Sequence, residues 1–380
     1  MEAYFDNGAT TRVFPQVKDI VIEAMEEEYG NPSSMHMKGV KAEQYVKDAR
    51  EIIAKSLKVD PKEIVFTSGG TESNNMALIG TAMANARKGK HIISTRIEHA
   101  SVYNPLFFLE ENGYEITYLP VDEHGVVDLE ALEKAIRPDT ILVSVMYVNN
   151  EIGAVQPVEE IGKIVKKKNP DTLFHVDAIQ AYGKYHIYPR RLKIDLLSVS
   201  GHKIHGPKGI GFLYIKDKTK VHPLILGGGQ QKGMRSGTEN VPGIAGLGKA
   251  VQLIYQDHEE KMKKIQAIKD DFIAQVMELS DVRNNSGEAP HIASISFQGV
   301  RSEVLLHALE EKGIYVSSGS ACSSNKPAIS GTLKAIGLTK EYYDSTLRFS
   351  FCIFNTKEEV DYTVNCLREL LPILRRFTRK

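Results

Sequence analysis

The sequence predicts an α/β fold in which helices cover both faces of a large, mainly parallel sheet. Between about residues 40 and 255, short and continuously apolar runs alternate with amphipathic stretches. Continuous apolar runs are typical of strands that are covered on both faces, and their alternation with helices is typical of a parallel sheet. The pattern changes after about residue 255. A chain of 380 residues is long enough for such a domain and a smaller one.

The elements of the first region follow one another regularly. Apolar side chains at helical spacing indicate a helix over residues 40–57. Seven short apolar runs predict the strands of a seven-stranded sheet: EIVFT, HIIST, EITYLPV, TILVSVMYV, LFHVDAI, IDLLSVSG and GIGFLYI. Helical stretches at 101–112, 128–136 and 157–168 separate most of these runs.

After residue 255 the pattern predicts a smaller α+β unit. A long amphipathic helix in KMKKIQAIKDDFIAQVMEL is followed by strand HIASISF, helix SEVLLHALEEKG and strand TLRFSFCIF. Thr356 and Glu359 have the spacing of a capping box and mark the start of a last helix.

Composition and charge exclude several classes of protein. Lys plus Arg and Asp plus Glu both number 48, so the net charge gives no reason to expect binding to nucleic acid or to an anionic membrane. No apolar run is long enough to cross a bilayer, and MEAYFDNGATT lacks the pattern of a signal peptide. Three cysteines without a CxxC pair argue against a disulfide framework or structural zinc, so we expect a reducing cytoplasm.

The stretch SVSGHKIHGPKG places a lysine where α/β folds bind ligands. Lys203 follows the end of an apolar strand, and open α/β sheets bind ligands at the carboxyl ends of their strands. Lysine forms a Schiff base with aldehydes such as pyridoxal phosphate (PLP). The alternative is a surface lysine in a loop, and we interpret Lys208, beyond the turn, in that way. His202 and His205 have no carboxylate or thiol nearby in sequence that would make them metal ligands, and we expect no metal site.

The stretch HVDAIQ offers a carboxylate at the end of another strand. Asp177 could pair with a pyridine nitrogen and keep it protonated, and Gln180 could donate to a phenolic oxygen. The alternative for Asp177 is a helix N-cap.

Three further features of the sequence could bind an anion, a ring face and a carboxylate. TSGGTESNN, residues 67–75, joins a strand to a polar helix start and could bind an anion, with Ser200 and His202 completing the cradle. His99 could stack on a ring, or be a structural histidine. Arg348 could bind a carboxylate bidentately, or form an interdomain salt bridge.

The stretch SSGSACSS places Cys322 among seven small residues. Such neighbours suit neither a packed core cysteine nor a metal ligand with a partner two to four residues away. They add little bulk, so they permit a reactive thiolate to move.

Together these stretches resemble the cysteine desulfurases of the NifS and IscS type, in the class-V aminotransferase-like group. The resemblance extends over nearly the whole chain in ten ordered stretches: YFDNGATT, YGNPSSMH, FTSGGTESNN, IEHASV, VNNEIG, HVDAIQ, SGHKIHGPKGIGFLY, GGGQQKGMRSGTEN, SSGSACSS and LRFSF. Of these, SGHKIHGPKG together with SSGSAC is the most specific for the family.

The resemblance implies a fold, a reaction and partners. The fold would be that of the PLP-dependent transferases of fold type I. Residues 15–255 would form the large PLP-binding domain, and residues 1–14 and 256–380 a small domain carrying a mobile catalytic-cysteine loop. The enzyme would convert L-cysteine to L-alanine and pass the sulfur, as a persulfide on Cys322, to an acceptor for iron–sulfur cluster assembly or for tRNA or cofactor thiolation. It would work as a homodimer with shared active sites.

The resemblance also implies roles for the matching residues. Lys203 would hold PLP covalently and take the α-proton, Cys322 would be the nucleophile, and His99 would cover the ring. The other expected contacts fall into three groups: Asp177 and Gln180 at the ring; Gly70, Thr71, Ser200 and His202 at the phosphate, joined by Thr238 of the neighbouring subunit; and Asn150 and Arg348 at the substrate carboxylate.

Some features depart from the pattern of the family and leave alternatives open. Gly70 and His205 stand where alanine and tyrosine are also expected. The chain ends at RRFTRK, without the longer tail with which IscS-type relatives dock their scaffold protein, so the sulfur acceptor stays open. A selenocysteine lyase or an aminotransferase of the same fold is an alternative, although an aminotransferase has no use for Cys322. A catalytically idle binding protein would be expected to lack Lys203 or Cys322.

Overall fold

The structure is a computed structural model that describes residues 1–318 and 330–377. The helices of these residues are α1 (Pro15–Glu26), α2 (Met37–Leu57), α3 (Gly70–Asn75), α4 (Thr81–Asn85), α5 (Ala100–Glu111), α6 (Leu129–Ala135), α7 (Val158–Lys168), α8 (Val241–Tyr255), α9 (His258–Val276), α10 (Ser302–Glu310), α11 (Gly331–Ala335), α12 (Lys340–Tyr343) and α13 (Lys357–Arg375). The strands are β1 (Ala3–Tyr4), β2 (Ile64–Thr67), β3 (His91–Thr95), β4 (Glu115–Leu119), β5 (Thr140–Met146), β6 (Leu173–Asp177), β7 (Leu196–Ser200), β8 (Gly211–Ile215), β9 (Val282–Asn284), β10 (Ile292–Phe297), β11 (Ile314–Tyr315), β12 (Ser317–Ser318) and β13 (Thr346–Ser350).

The large sheet confirms the predicted α/β class. Its seven strands have the order β2-β8-β7-β6-β5-β3-β4, and each of the seven predicted runs forms one of them. Only β8 runs antiparallel to its neighbours. Apart from the edge strand β4, the strands are buried almost throughout, as expected for strands that are covered on both faces.

Strand register brings the ends of three strands to one edge of this sheet. Asp177, the last residue of β6, pairs with Ser198 of the parallel strand β7. Because β8 lies antiparallel between β7 and β2, those two strands run in the same direction, and Gly211 of β8 pairs with both Thr67 and Ser200. The loops after β2, β6 and β7 therefore leave the sheet side by side.

Two glycines allow the loop after β2 to lie against the sheet. A Cβ on Gly211 would be 2.4 Å from the carbonyl oxygen of Val199 and 2.8 Å from the Cα of Gly69. Gly69 has a φ of +147°, which side-chain-bearing residues rarely adopt. The loop that begins α3 is thus specified by backbone geometry.

A four-stranded antiparallel sheet of order β12-β13-β10-β9 forms the centre of the smaller unit. Its core includes an aromatic group in which Phe5 packs against Phe351 with ring centroids 5.3 Å apart, and Phe272 against Phe349 at 4.5 Å. The first residues of the chain therefore belong to the core of its last third. On this packing we propose the division into residues 15–255 and residues 1–14 with 256–380. The capping box of Thr356 and Glu359 is present.

Helices α1 and α8 lay outside the sequence prediction. Ten of the fifteen residues of α8 are buried, and three of them are glycines. A helix that is buried nearly all round shows no polar face, so periodicity did not reveal it. No helix within residues 1–318 and 330–377 is long and apolar enough to cross a membrane.

Candidate active site

The sheet edge and the smaller unit enclose a cavity of ≈ 320 Å³. The predicted site residues that line it are Gly70, Thr71, His99, Asn150, Asp177, Gln180, Ser200, His202, Lys203 and Arg348. Thr238 is exposed and lies outside this wall. Cys322 lies outside the described residues, but Ser317 and Ser318, five and four residues before it, line the cavity.

Lys203 points into the cavity from a single helical turn, Gly201–Lys203, that follows β7. Its Nζ donates to the carbonyl oxygens of Gly8 at 2.5 Å and Ala9 at 2.7 Å. Its own carbonyl oxygen accepts from the buried Nζ of Lys184 at 3.2 Å. Lys203 is therefore a cavity residue, and Gly8 and Ala9, which also line the cavity, had no assigned role although the stretch YFDNGATT had been noted.

Asp177 lines the cavity and caps a turn rather than a helix, and its pairing with a ring nitrogen stays a prediction. Its Oδ1 accepts from the backbone N–H of Ile179 at 3.0 Å, which caps the turn after β6. Its Oδ2 accepts from Asn74 at 2.8 Å. Burial raises the pKa of Asp177, while these two hydrogen bonds act in the opposite direction. A buried carboxylate on a cavity wall is suited to pair with a cationic ring nitrogen.

A chain of hydrogen bonds connects Asp177 with His99. The Nδ2 atom of Asn74 bonds both Asp177 and the hydroxyl of Ser101, at 2.9 Å for the second. That hydroxyl lies 2.8 Å from Nδ1 of His99, which also accepts from the backbone N–H of Ser101. His99 therefore caps α5, as a structural histidine would, and also faces the cavity. Asn74 and Ser101 lie in the noted stretches TESNN and EHASV but had no assigned role.

Glu98 is a buried carboxyl group beside this chain. Its Oε1 accepts from the hydroxyl of Thr95 at 2.7 Å and from the backbone N–H of Met146 at 3.0 Å. Its Oε2 is buried and has no hydrogen-bond partner in the described part of the chain. Burial raises the pKa of Glu98 to about 8, so the side chain is largely neutral at pH 7.

The loop at the start of α3 faces an adjoining cleft together with Ser200 and His202. Burial, assisted by Lys203 and Lys208, lowers the pKa of His202 to about 4, so this histidine is neutral at pH 7. Lys208 is exposed in a turn, which confirms its interpretation as a surface lysine in a loop, and it lines the same cleft. A Cβ on Gly70 would lie 2.2 Å from Cδ1 of Ile179, so alanine there requires Ile179 to move.

Arg348 forms an ion pair with Asp6 inside the unit of residues 1–14 and 256–380, so the salt bridge is not an interdomain one, and the contact with a substrate carboxylate stays a prediction. Its Nη2 forms an ion pair with Asp6 at 2.9 Å, and its Nη1 donates to the carbonyl oxygen of Asn150 at 2.8 Å. Its Nε is buried and has no hydrogen-bond partner among residues 1–318 and 330–377. These two contacts use two of the five N–H donors of the guanidinium and hold it at the cavity wall. The preceding residue, Asn149, forms the turn, and Asn150 lines the cavity.

The histidines next to Lys203 have roles within the protein. His205, at a φ of +64°, contacts the carbonyl oxygen of Arg12 through Nδ1 at 2.7 Å. Within the described residues there is no group of three or more metal-ligating side chains. The expectation of no metal stays a prediction.

Comparison with known proteins identifies the family. The class-V aminotransferase family matches residues 3–363. Cysteine desulfurase IscS of Dictyoglomus turgidum is 44% identical over 378 residues, which cover 98% of this chain and 95% of that protein. Among solved structures, a NifS-like protein has a TM-score of 0.94 at 41% identity and covers 98% of this chain and 100% of its own. SspA in complex with cysteine has a TM-score of 0.83 at 36% identity, covering 93% of this chain and 100% of its own.

The chain belongs to the class-V aminotransferase family. Its relatives within that family are cysteine desulfurases of the IscS and NifS type, which confirms the predicted family, fold type I and PLP as the cofactor.

The residues of the cavity fit this cofactor. The amine of Lys203 can bond its aldehyde carbon, the buried carboxylate of Asp177 suits its ring nitrogen, and the amide of Gln180 suits its phenolic oxygen. The loop from Gly69 to Thr71, at the start of α3, lines the adjoining cleft and suits its phosphate.

Proposed function

We propose that this protein is a cysteine desulfurase that converts L-cysteine to L-alanine and moves the sulfur to acceptor proteins through a persulfide on Cys322. The observation that carries the proposal is the convergence of Lys203, Asp177, Gln180, Asn150 and Arg348 on one cavity. When bound, PLP supplies the electron-withdrawing ring that stabilises charge at the substrate's α-carbon.

Lys203 has two tasks in this proposal, to anchor the cofactor and to move a proton. Two main-chain carbonyl oxygens, those of Gly8 and Ala9, hold its amine at the cavity wall. Once the amine is released from the cofactor, it can accept the α-proton of the substrate and return it later. Asp177, held by Asn74 and the turn N–H, keeps the ring nitrogen protonated.

Arg348 and Asn150 orient the substrate in this proposal. The ion pair with Asp6 and the bond to the carbonyl oxygen of Asn150 fix the guanidinium plane. The guanidinium N–H groups that these two contacts do not use can then donate to a substrate carboxylate with little loss of side-chain freedom.

Cys322 takes the sulfur. Its thiolate attacks the sulfur of the substrate, so that a sulfur–sulfur bond forms and the carbon–sulfur bond breaks. The electron pair of the broken bond stays on the β-carbon, which is protonated to the methyl group of alanine. The sum is L-cysteine plus the Cys322 thiol giving L-alanine plus the Cys322 persulfide, with no external oxidant. Ser317 and Ser318, a few residues before Cys322, line the cavity, which supports delivery of the thiolate to it.

A homodimer belongs to the proposal. Thr238 is exposed and lies away from the cavity of its own chain, as a residue serving the phosphate site of a second copy would. Phe107 and Phe108 are about half exposed on α5, whose N-cap is His99, and offer an apolar surface next to the cavity. The acceptors that we propose are an iron–sulfur scaffold or a tRNA- or cofactor-thiolation protein. The cytoplasmic location and the absence of nucleic-acid binding stay predictions.

The test is incubation of the purified protein with PLP and L-cysteine without reductant, followed by an alanine assay and peptide mass spectrometry. We expect alanine and one extra sulfur on Cys322, with none on Cys352 and Cys366, which are buried internal controls. Cys322→Ser should bind PLP like the wild type yet form no persulfide, and Lys203→Ala should lose turnover.

Three results would contradict the proposal. Alanine without sulfur on Cys322 would indicate a lyase that releases sulfide directly. Turnover of selenocysteine but not of cysteine would indicate a selenocysteine lyase. Turnover of neither, together with amino transfer from other amino acids, would indicate an aminotransferase.

A further inference from the structure

A buried histidine that does not line the cavity contacts the side-chain amide of Gln180. Gln180 Nε2 donates to the carbonyl oxygen of Gly8 at 3.0 Å, and its Oε1 lies 3.3 Å from Nε2 of His291. His291 immediately precedes β10, in a different unit of the fold from Gln180, and it is 3% exposed. We propose that His291 is a positioning residue that fixes the side-chain amide of Gln180 so that one amide N–H is directed into the cavity. The inference rests on the proposed function because Gln180 serves there as a cofactor contact.

The surroundings of His291 keep its ring neutral. Burial lowers the pKa of His291 well below its usual value. The charged groups that act on it, Lys184, Lys269, Arg348 and Lys203, are all cationic and lower the pKa further. A neutral imidazole carries a single N–H, so only one of its two nitrogens can donate.

The hydrogen bonds decide which nitrogen carries that proton. The Gly8 carbonyl can only accept, so the NH₂ end of the Gln180 amide must face it, and the amide oxygen then faces His291. The imidazole must therefore donate through Nε2. Its Nδ1 is buried and has no hydrogen-bond partner within residues 1–318 and 330–377, and this is less costly for an acceptor than for an N–H group.

This arrangement leaves one donor of Gln180 for the cavity. Of its two amide hydrogens, one is used by Gly8, which also accepts from Lys203. The other belongs to a side chain that lines the cavity wall. If the amide were rotated by half a turn, its oxygen would face the carbonyl oxygen of Gly8, and the cavity would meet an acceptor. His291 opposes that rotation, because its N–H would then face the NH₂ group.

The test uses the visible absorption band of bound PLP and the pH at which it changes. A donor at the phenolic oxygen favours the form that has lost its proton, so loss of the donor moves the midpoint to higher pH. His291→Met removes the donor, and His291→Gln is its matched partner because glutamine has a similar shape and places an N–H at the reach of Nε2. We expect His291→Met to raise the midpoint by about half a pH unit to one pH unit, and His291→Gln to restore it.

The same substitution made in a Gln180→Leu variant shows whether His291 acts through Gln180 or through a general effect on the structure. In Gln180→Leu the midpoint should already be raised, and adding His291→Met should move it no further. Thermal unfolding of the cofactor-free proteins checks that each variant is folded, and His291→Phe replaces His291→Met if the latter is not.

Three results would overturn the inference alone: an unchanged midpoint in His291→Met, an equal shift in the Gln180→Leu background, or failure of His291→Gln to restore the wild-type value. Absence of any PLP band in the wild-type protein would instead overturn the proposed function, and this inference with it.

Discussion

Replacing Asn74 with leucine tests how the protein keeps Asp177 ionised. Asn74 is fully buried on α3, and its Nδ2 donates to Oδ2 of Asp177 at 2.8 Å and to the hydroxyl of Ser101 at 2.9 Å. Leucine has the same branched arrangement of heavy atoms and no donor, so Asn74→Leu removes both hydrogen bonds, while its two methyl groups are bulkier than the amide.

The size of the effect follows from the bond to the carboxylate. A hydrogen bond to a charged group contributes about 1.5–3 kcal/mol, and its loss raises the pKa of Asp177. Burial already raises that pKa, so the loss adds to an existing trend. PLP needs the ionised carboxylate, and we therefore expect its dissociation constant to rise about 10- to 100-fold.

The assay is a titration of cofactor-free protein with PLP, followed by absorbance at several pH values. The affinity of Asn74→Leu should fall as the pH falls, because Asp177 then becomes protonated at a higher pH than in the wild type. Asn112→Leu is the control: Asn112 is exposed at the end of α5, where its amide donates to the carbonyl oxygen of Phe108. An affinity of Asn74→Leu equal to that of Asn112→Leu at every pH would refute the reasoning.

Two further substitutions address Glu98 and Arg348. In the folded protein the pKa of Glu98 is about 8, whereas the unfolded chain loses this proton at about pH 4.5. Glu98 therefore lowers the free energy of unfolding as the pH rises from 4.5 to 8. Denaturant unfolding of Glu98→Gln should therefore show a stability gain over wild type that grows by at most about 1.4 kcal/mol per pH unit in this window; a gain independent of pH would contradict the buried neutral carboxyl. Arg348→Lys cannot serve Asp6, the Asn150 carbonyl and a substrate carboxylate together, so the KM for L-cysteine should rise about 10- to 100-fold with a smaller change in kcat; an unchanged KM in an alanine-formation assay would remove Arg348 from substrate binding.

Much of the site was predictable because its residues lie at the ends of strands. The apolar runs LFHVDAI and IDLLSVSG became β6 and β7, and Asp177, Ser200 and Lys203 lie where those runs end. Parallel strands deliver their carboxyl ends to one edge of a sheet, so a pattern visible in short windows of sequence places chemical groups together. The large parallel sheet and the glycine-containing loop after β2 were recognisable for the same reason.

Local sequence patterns did not predict two features of the structure. These are a helix without a polar face and the hydrogen-bond partners that distant segments supply to the site. Helix α8 is buried nearly all round, which removes the periodicity by which a helix is recognised. The hydrogen bonds from Lys203 to the carbonyl oxygens of Gly8 and Ala9 join residues that are nearly two hundred positions apart. No local pattern encodes such a contact, because it depends on the packing of Phe5 and its neighbours into the core of the smaller unit.

The sequence by itself therefore determined the fold class, the family and the kinds of chemical group at the site, since strand ends and motifs are local properties. The tertiary structure decided how these groups are held. Arg348 is both an ion-pair partner of Asp6 and a cavity residue, and Asp177 is both a cap and a buried carboxylate. The protonation of Glu98 and His291 was likewise decided there, because desolvation and the field of surrounding charges exist only once the chain is packed.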